Sequence, residues 1–340
     1  MIYKALGARM ALDSMKKKTM QSLLGTVVVV LFFSATIWYI FDHWSEFSKL
    51  TIAEPLYIIP AVLFMIINIY ASGIVIDLAI EPHGIKLTKR EAFGLASITR
   101  FSNQLSPSYV GATIRAAYIK RTHGVSYAKF SSSFIISNLL QFMISGLLTI
   151  ATFLALMPSS NNNILLYFVA LGVIVLIGLV YFPVGPMQRF IMKQEQRGGK
   201  TGHLLERVSE LLKGYVAVRS YPHLLPRTMA WMLVITFTFA INFFLLYNAL
   251  GFHVSIISAF FIASLSGWSI LIAITPGGLG IREGLMLFGA QIAGVPLSAT
   301  LLVAVLLRIL MFIGSGVLSA YFAPKLLHTS VFGIGAHSKK

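Results

Sequence analysis

Cysteine is absent from all 340 residues, which removes disulfides, thiolate nucleophiles and Cys-ligated metals from the chemistry open to this chain. Acids are scarce too: 11 Asp and Glu stand against 27 Lys and Arg, for a net charge of +16. The 8 histidines are scattered, with no His-Glu-x-x-His and no clustered ligand spacing, and no Asp-x-Asp pair exists. No metal, no cofactor and no catalytic residue is therefore expected. Also missing is any polar stretch long enough to fold as a separate soluble domain. What fills the chain is hydrocarbon-like sequence, 57% hydrophobic and 11% charged, with a mean hydropathy of +0.81. That composition reads as an all-α integral membrane protein of several spans joined by short loops.

The placement of the charge argues against nucleic acid as a partner. Of the 27 basic residues, 22 fall in segments assigned to the cytoplasm and only Lys49 in an outside loop; Arg100, Arg115, Arg282 and Arg308 fall in membrane-embedded stretches. This is the positive-inside asymmetry, and it puts both termini in the cytoplasm of a multi-pass protein of the cell membrane. A basic inner face also attracts anionic headgroups, at about 1 kcal/mol per Lys or Arg near the surface. Lys16, Lys17 and Lys18 precede an apolar run at 22–41 that is too long for a signal peptide and lacks a cleavage site after it, so it is read as a retained first span.

Along the chain, a basic N-terminus (1–21) leads into spans at 22–41 and 55–79. Residues 92–124 are too polar to span and are split at Ser106-Pro107-Ser108, which predicts two half-helices dipping in from the cytoplasm. Spans at 128–157 and 164–183 follow, then a basic loop (184–226) whose 204–215 segment has the spacing of an interfacial amphipathic helix. Spans at 227–250 and 297–323 enclose a second interruption, and 326–340 form a cytoplasmic tail. The stretch 256–274 is long enough to cross alone, but the apolar piece after Gly284 is not. A re-entrant hairpin entering from outside is preferred, because it keeps the basic C-terminus inside. The expectation is six spans plus two re-entrant hairpins, in halves of about 22–183 and 227–325. The hairpins sit at corresponding places and enter from opposite faces, the pattern of an inverted repeat.

The second interruption, Thr275-Pro276-Gly277-Gly278-Leu279-Gly280-Ile281-Arg282-Glu283-Gly284, sets broken backbone and two charges inside apolar sequence. Unpaired N–H and C=O groups at that depth are tolerated only in protein or against a wet cavity. Ionisable groups there are candidate functional residues. Four arginines suit an anion, and a guanidinium matches phosphate bidentately. Gly277, Gly278 and Gly280 would let backbone N–H groups approach it. A lipid phosphate fits better than a small ion, since its tails remain in the bilayer. Arg308 lies near mid-membrane and either bridges to Glu283 or binds substrate. Arg115 faces either the groove or the cytoplasm, and Arg100 is expected to reach water.

These two interruptions resemble the motifs of the lysylphosphatidylglycerol synthase transmembrane, flippase-like family. The decapeptide from Thr275 to Gly284 is similar to its second motif nearly throughout. Asn103, Pro107, Gly111 and Arg115 resemble its first, except that Ala112 stands where many members place a Glu. The resemblance covers about 20–325 and implies an inner-membrane protein that moves lipids between leaflets. It carries over Pro107, Gly111, Arg115, Gly277, Gly278, Gly280, Arg282 and Glu283, to which the residue reading adds Asn103, Pro276 and Arg308 as substrate-binding candidates. The soluble aminoacyltransferase domain of the fused relatives has no counterpart in these 340 residues, so that activity is not expected.

The leading function is a flippase for a phosphate-bearing lipid: an anionic or aminoacylated phospholipid, or a polyprenyl-phosphate-linked one. The alternatives are an accessory subunit that holds a lipid- or glycan-modifying enzyme through the basic loop, and an integral-membrane transferase. Expected partners are membrane lipids and an enzyme that supplies the lipid, with self-association into an oligomer left open.

Overall fold

A computed structural model describes residues 34, 41, 52–105, 110–156, 170, 171, 174, 221, 223–272, 278 and 280–331. The expected spans at 22–41 and 164–183, the amphipathic segment 204–215, and Pro107, Pro276 and Gly277 lie outside these residues. Among the described residues every regular element is helical. They are α1 (Ile58–Ile80), α2 (Lys89–Leu105), α3 (Val110–His123), α4 (Tyr127–Leu156), α5 (Leu224–Ala249), α6 (Ile256–Ser266), α7 (Ile281–Ile292) and α8 (Leu297–Val331). Four of them, α1, α4, α5 and α8, are long and apolar enough to cross a bilayer. The last outruns its expected end at 323, carrying Pro324 inside it.

The other four are too short. Helix α6 has 11 residues and α7 has 12, about 17 and 18 Å at 1.5 Å per residue, against a hydrocarbon core of about 30 Å. A 3-10 turn, Gly267–Ile272, continues α6. The two pack against each other as a helical hairpin, and so do α2 and α3. The described stretch 256–272 is therefore one arm of a hairpin, packed against α7.

The two hairpins point into the molecule from opposite ends. Helix α1 runs antiparallel to α5: the Glu54 N–H donates to Ala249 O at 3.1 Å, Asn68 bonds Thr238 at 2.8 Å, and Glu81 lies 3.7 Å from Arg227. The first hairpin starts beyond the C-terminal end of α1, the second beyond the C-terminal end of α5. Packing repeats across the halves. Helix α1 packs on its counterpart α5, α2 packs on α8, and their counterparts α6 and α4 pack on each other. This is an inverted repeat held by packing, with matching helices starting about 170 residues apart: Ile58 and Leu224, Lys89 and Ile256, Val110 and Ile281, Tyr127 and Leu297.

The described basic residues divide between two places. Lys86, Lys89, Arg90, Lys120, Arg121, Lys129, Arg227 and Lys325 all sit at the end of the molecule where α1 finishes. Arg100, Arg115, Arg282 and Arg308 lie inside. At the opposite end a dry plug of Phe243, Leu246, Tyr247, Ala299 and Val303 is fully buried, closed by a 2.7 Å bond between the Tyr247 and Thr300 hydroxyls.

Candidate functional site

Described residues of both hairpins line one cavity of about 440 Å³. Its α1 wall runs from Asn68 to Ala79 and its α5 wall from Met232 to Phe239, so it extends from mid-molecule towards the basic end. All four internal arginines line it, and among the described lining residues there is no Asp, Glu, His or Lys.

Each arginine is held differently. Arg308, on α8, donates Nε–H to Glu283 Oε1 at 2.7 Å and an Nη2–H to the same oxygen. Glu283 is only 3% exposed, and its Oε2 accepts the Gly280 N–H at 2.8 Å, capping α7. Gly280 begins that helix at φ +83°, left-handed backbone that a side chain would strain. Glu283 thus stands behind the cavity wall with both oxygens used, compensating one arginine and the helix start together. Gly278, at φ +70°, and Arg282 reach the cavity directly. Arg282 lays its guanidinium over the Phe239 ring at 4.7 Å and has no hydrogen bond among the described residues.

The first hairpin contributes a similar arrangement. Arg115, one turn into α3, lies over Phe130 at 5.3 Å and Phe134 at 5.2 Å, and its buried Nε–H has no partner among the described residues. The groove, not the cytoplasm, is the side it takes. Asn103 Oδ1 accepts the Gly111 N–H at 2.8 Å, so Asn103 caps α3 as Glu283 caps α7. Gly111 itself does not line the cavity. Its place is against α2, where an added Cβ would meet Thr99 O at 2.1 Å.

Arg100 departs from the expectation that it reaches water. It donates to Asn68 Oδ1 at 2.7 Å, to Ser72 Oγ at 3.3 Å and to Met311 Sδ at 3.3 Å. Asn68 in turn donates to Ile235 O at 2.7 Å and Thr238 Oγ1, fixing α2 to the α1–α5 seam. Asn138 and Gln141, which sequence leaves equally open as interhelical bonds or ligands, both line the cavity, and Gln141 also donates to Thr236 Oγ1 at 2.8 Å.

The description "Lysylphosphatidylglycerol synthase TM region" matches residues 21–319. The chain belongs to this family. No curated protein and no solved structure gives a significant match. Family membership together with the four apolar helices makes this a membrane protein with a lipid-related role. Within the family's membrane region, the two motif segments are the two hairpins, and their arginines face one shared space.

Proposed function

We propose that this protein moves a phosphate-bearing lipid from one leaflet to the other. The observation that supports this reading most directly is a cavity inside a membrane protein whose wall carries four arginines and, among the described residues, no acid. Uncompensated guanidinium groups in hydrocarbon are costly, so such a wall is stable when an anion completes it. A lipid headgroup satisfies the arginines while its tails stay among the exposed apolar side chains of the spans.

Transport suits this wall better than group transfer, because no carboxylate or imidazole is positioned among the described lining residues to exchange a proton. By the positive-inside rule the basic end faces the cytoplasm, with both chain termini there, in the plasma membrane. The partners are then membrane lipids and the enzyme that delivers them.

The test is reconstitution into proteoliposomes with candidate lipids placed in one leaflet, measuring their appearance in the other. Wild-type protein should accelerate the transfer of a phosphate-bearing lipid, and Arg282→Ala should abolish most of it. No acceleration for any such lipid, with wild type and variant alike, would overturn the reading.

A further inference from the structure

The charge on the cavity wall is larger than most lipid headgroups can balance. Four arginines face the space, and the carboxylate bonded to one of them among the described residues, Glu283, is buried behind the wall on Arg308 and the Gly280 N–H. Three positive charges are left over.

The donors are divided as well. Arg100 and Arg308 have their edges engaged by Asn68, Ser72 and Glu283. The guanidinium carbons of Arg115 and Arg282 sit over aromatic rings, at 5.2–5.3 Å and 4.7 Å. A ring contact uses no N–H group in a conventional hydrogen bond, and the Arg115 Nε–H has no partner among the described residues, so N–H groups of the kind that grip phosphate oxygens in pairs remain for a ligand. These two arginines come from opposite hairpins and stand at one cavity. Nothing acidic is present among the described lining residues to receive an ammonium group, and Ala112 lines the cavity at the motif position where the resemblance leads one to expect a Glu.

We infer that the headgroup this cavity takes is the doubly charged terminal phosphate of a lipid phosphomonoester, balanced by the arginines of the wall that Glu283 leaves uncompensated, and that aminoacylated phospholipids are excluded. This rests on the transport reading and narrows its cargo. A phosphodiester offers one charge against three, and a lysyl ester brings an ammonium towards arginines. Phosphatidic acid and polyprenyl phosphate share the required chemistry, because both end in an unesterified phosphate.

The experiment uses the full chain purified in detergent and titrated with dioleoyl phosphatidic acid, a polyprenyl phosphate, phosphatidylglycerol or lysylphosphatidylglycerol, with retained lipid read by native mass spectrometry. Phosphomonoesters should be retained at least about tenfold over phosphatidylglycerol, the scale of one charge-assisted hydrogen bond. Arg115→Gln and Arg282→Gln should each remove that preference. The arginines remain charged, and no described lining group titrates between about pH 5 and 8. Retention should therefore weaken as the monoester's second proton returns near pH ~6, a signature a purely structural arginine does not produce. If Arg115→Gln does not fold, Arg282→Gln and the pH series carry the test.

Retention of the polyprenyl phosphate alone would identify an isoprenoid cargo, and equal retention of both would mean the phosphate alone is recognised. Arginine-dependent retention of phosphatidylglycerol or its lysyl ester, equal to or above that of the monoesters, would overturn the inference and leave the transport reading standing. Retention of no lipid in an arginine-dependent way would overturn both.

Discussion

At the scale of single residues, Glu283 and Arg282 are neighbours in sequence with opposite tasks. Glu283 is buried with both oxygens bonded, while Arg282 lines the cavity and has no hydrogen bond among the described residues. Removing the acid leaves the Arg308 guanidinium and the Gly280 N–H without their acceptor. Breaking one side of such a buried pair costs about 3–5 kcal/mol. Glu283→Ala should therefore lower the unfolding temperature of the purified protein markedly, with Glu283→Gln intermediate because it keeps one oxygen acceptor for the cap. Arg282→Ala should change that temperature little, because it gives up a stacking contact and no ion pair. Thermal unfolding of the three variants side by side checks the division; equal losses for Glu283→Ala and Arg282→Ala would remove it. Arg308 was legible in sequence as a lone charge in Leu306-Leu307-Arg308-Ile309-Leu310. Arg100 was not, because α2 is polar enough to read as a water-exposed half-helix. Its burial comes from α1 and α8, which sequence spacing does not place beside it.

At the scale of elements, the hairpins are set by helix length and close approach. The close packing of α3 on α2 depends on Gly111, whose missing Cβ lets α3 lie against the Thr99 carbonyl. Gly111→Ala should push α3 away from α2, carry Arg115 off its two phenylalanines, and reduce arginine-dependent lipid retention to near the level of Arg115→Gln. The comparison is made by the same mass-spectrometric titration, and unchanged retention would mean that α3 has room the packing denies. The first hairpin could be read from its Ser-Pro-Ser break and its polarity. The second was ambiguous, since 256–274 is long enough to span as one helix. What ends the α-helix is the change to a 3-10 turn at Gly267, where α6 approaches α4 so closely that an added Cβ would stand 3.0 Å from Ser145 Oγ. That contact between halves has no signature in local sequence.

At the scale of the whole molecule, the inverted repeat makes two testable statements about sidedness. Absence of cysteine makes the chain its own labelling background, so single introduced cysteines report without interference. Lys86 sits at the mouth of the first hairpin and Gln291 near the mouth of the second, and both are exposed. Lys86→Cys and Gln291→Cys should react with a membrane-impermeant maleimide from opposite faces of sealed vesicles. Labelling of both from one face would remove the inverted topology.

The second statement concerns exchange of the halves. Ser72 lines the cavity on α1, and α5, the matching helix, carries Asn242 beyond the cavity wall, buried with Oδ1 unbonded among the described residues. A buried carbonyl oxygen without a partner carries a cost of about 1–3 kcal/mol. Exchange of the two halves would give that cost a reason: the α5 wall beyond Thr238 opens, the plug of Phe243 and Leu246 parts, and Asn242 comes to line the cavity. Ser72→Cys should then react from the Lys86 face in the resting protein, while Asn242→Cys is protected from both. During turnover of the transported lipid, Asn242→Cys should become reactive from the Gln291 face alone. Protection of Asn242→Cys throughout measured transport would mean that the cargo crosses without exchange of the halves, by a path that keeps the plug of Phe243, Leu246 and Tyr247 intact.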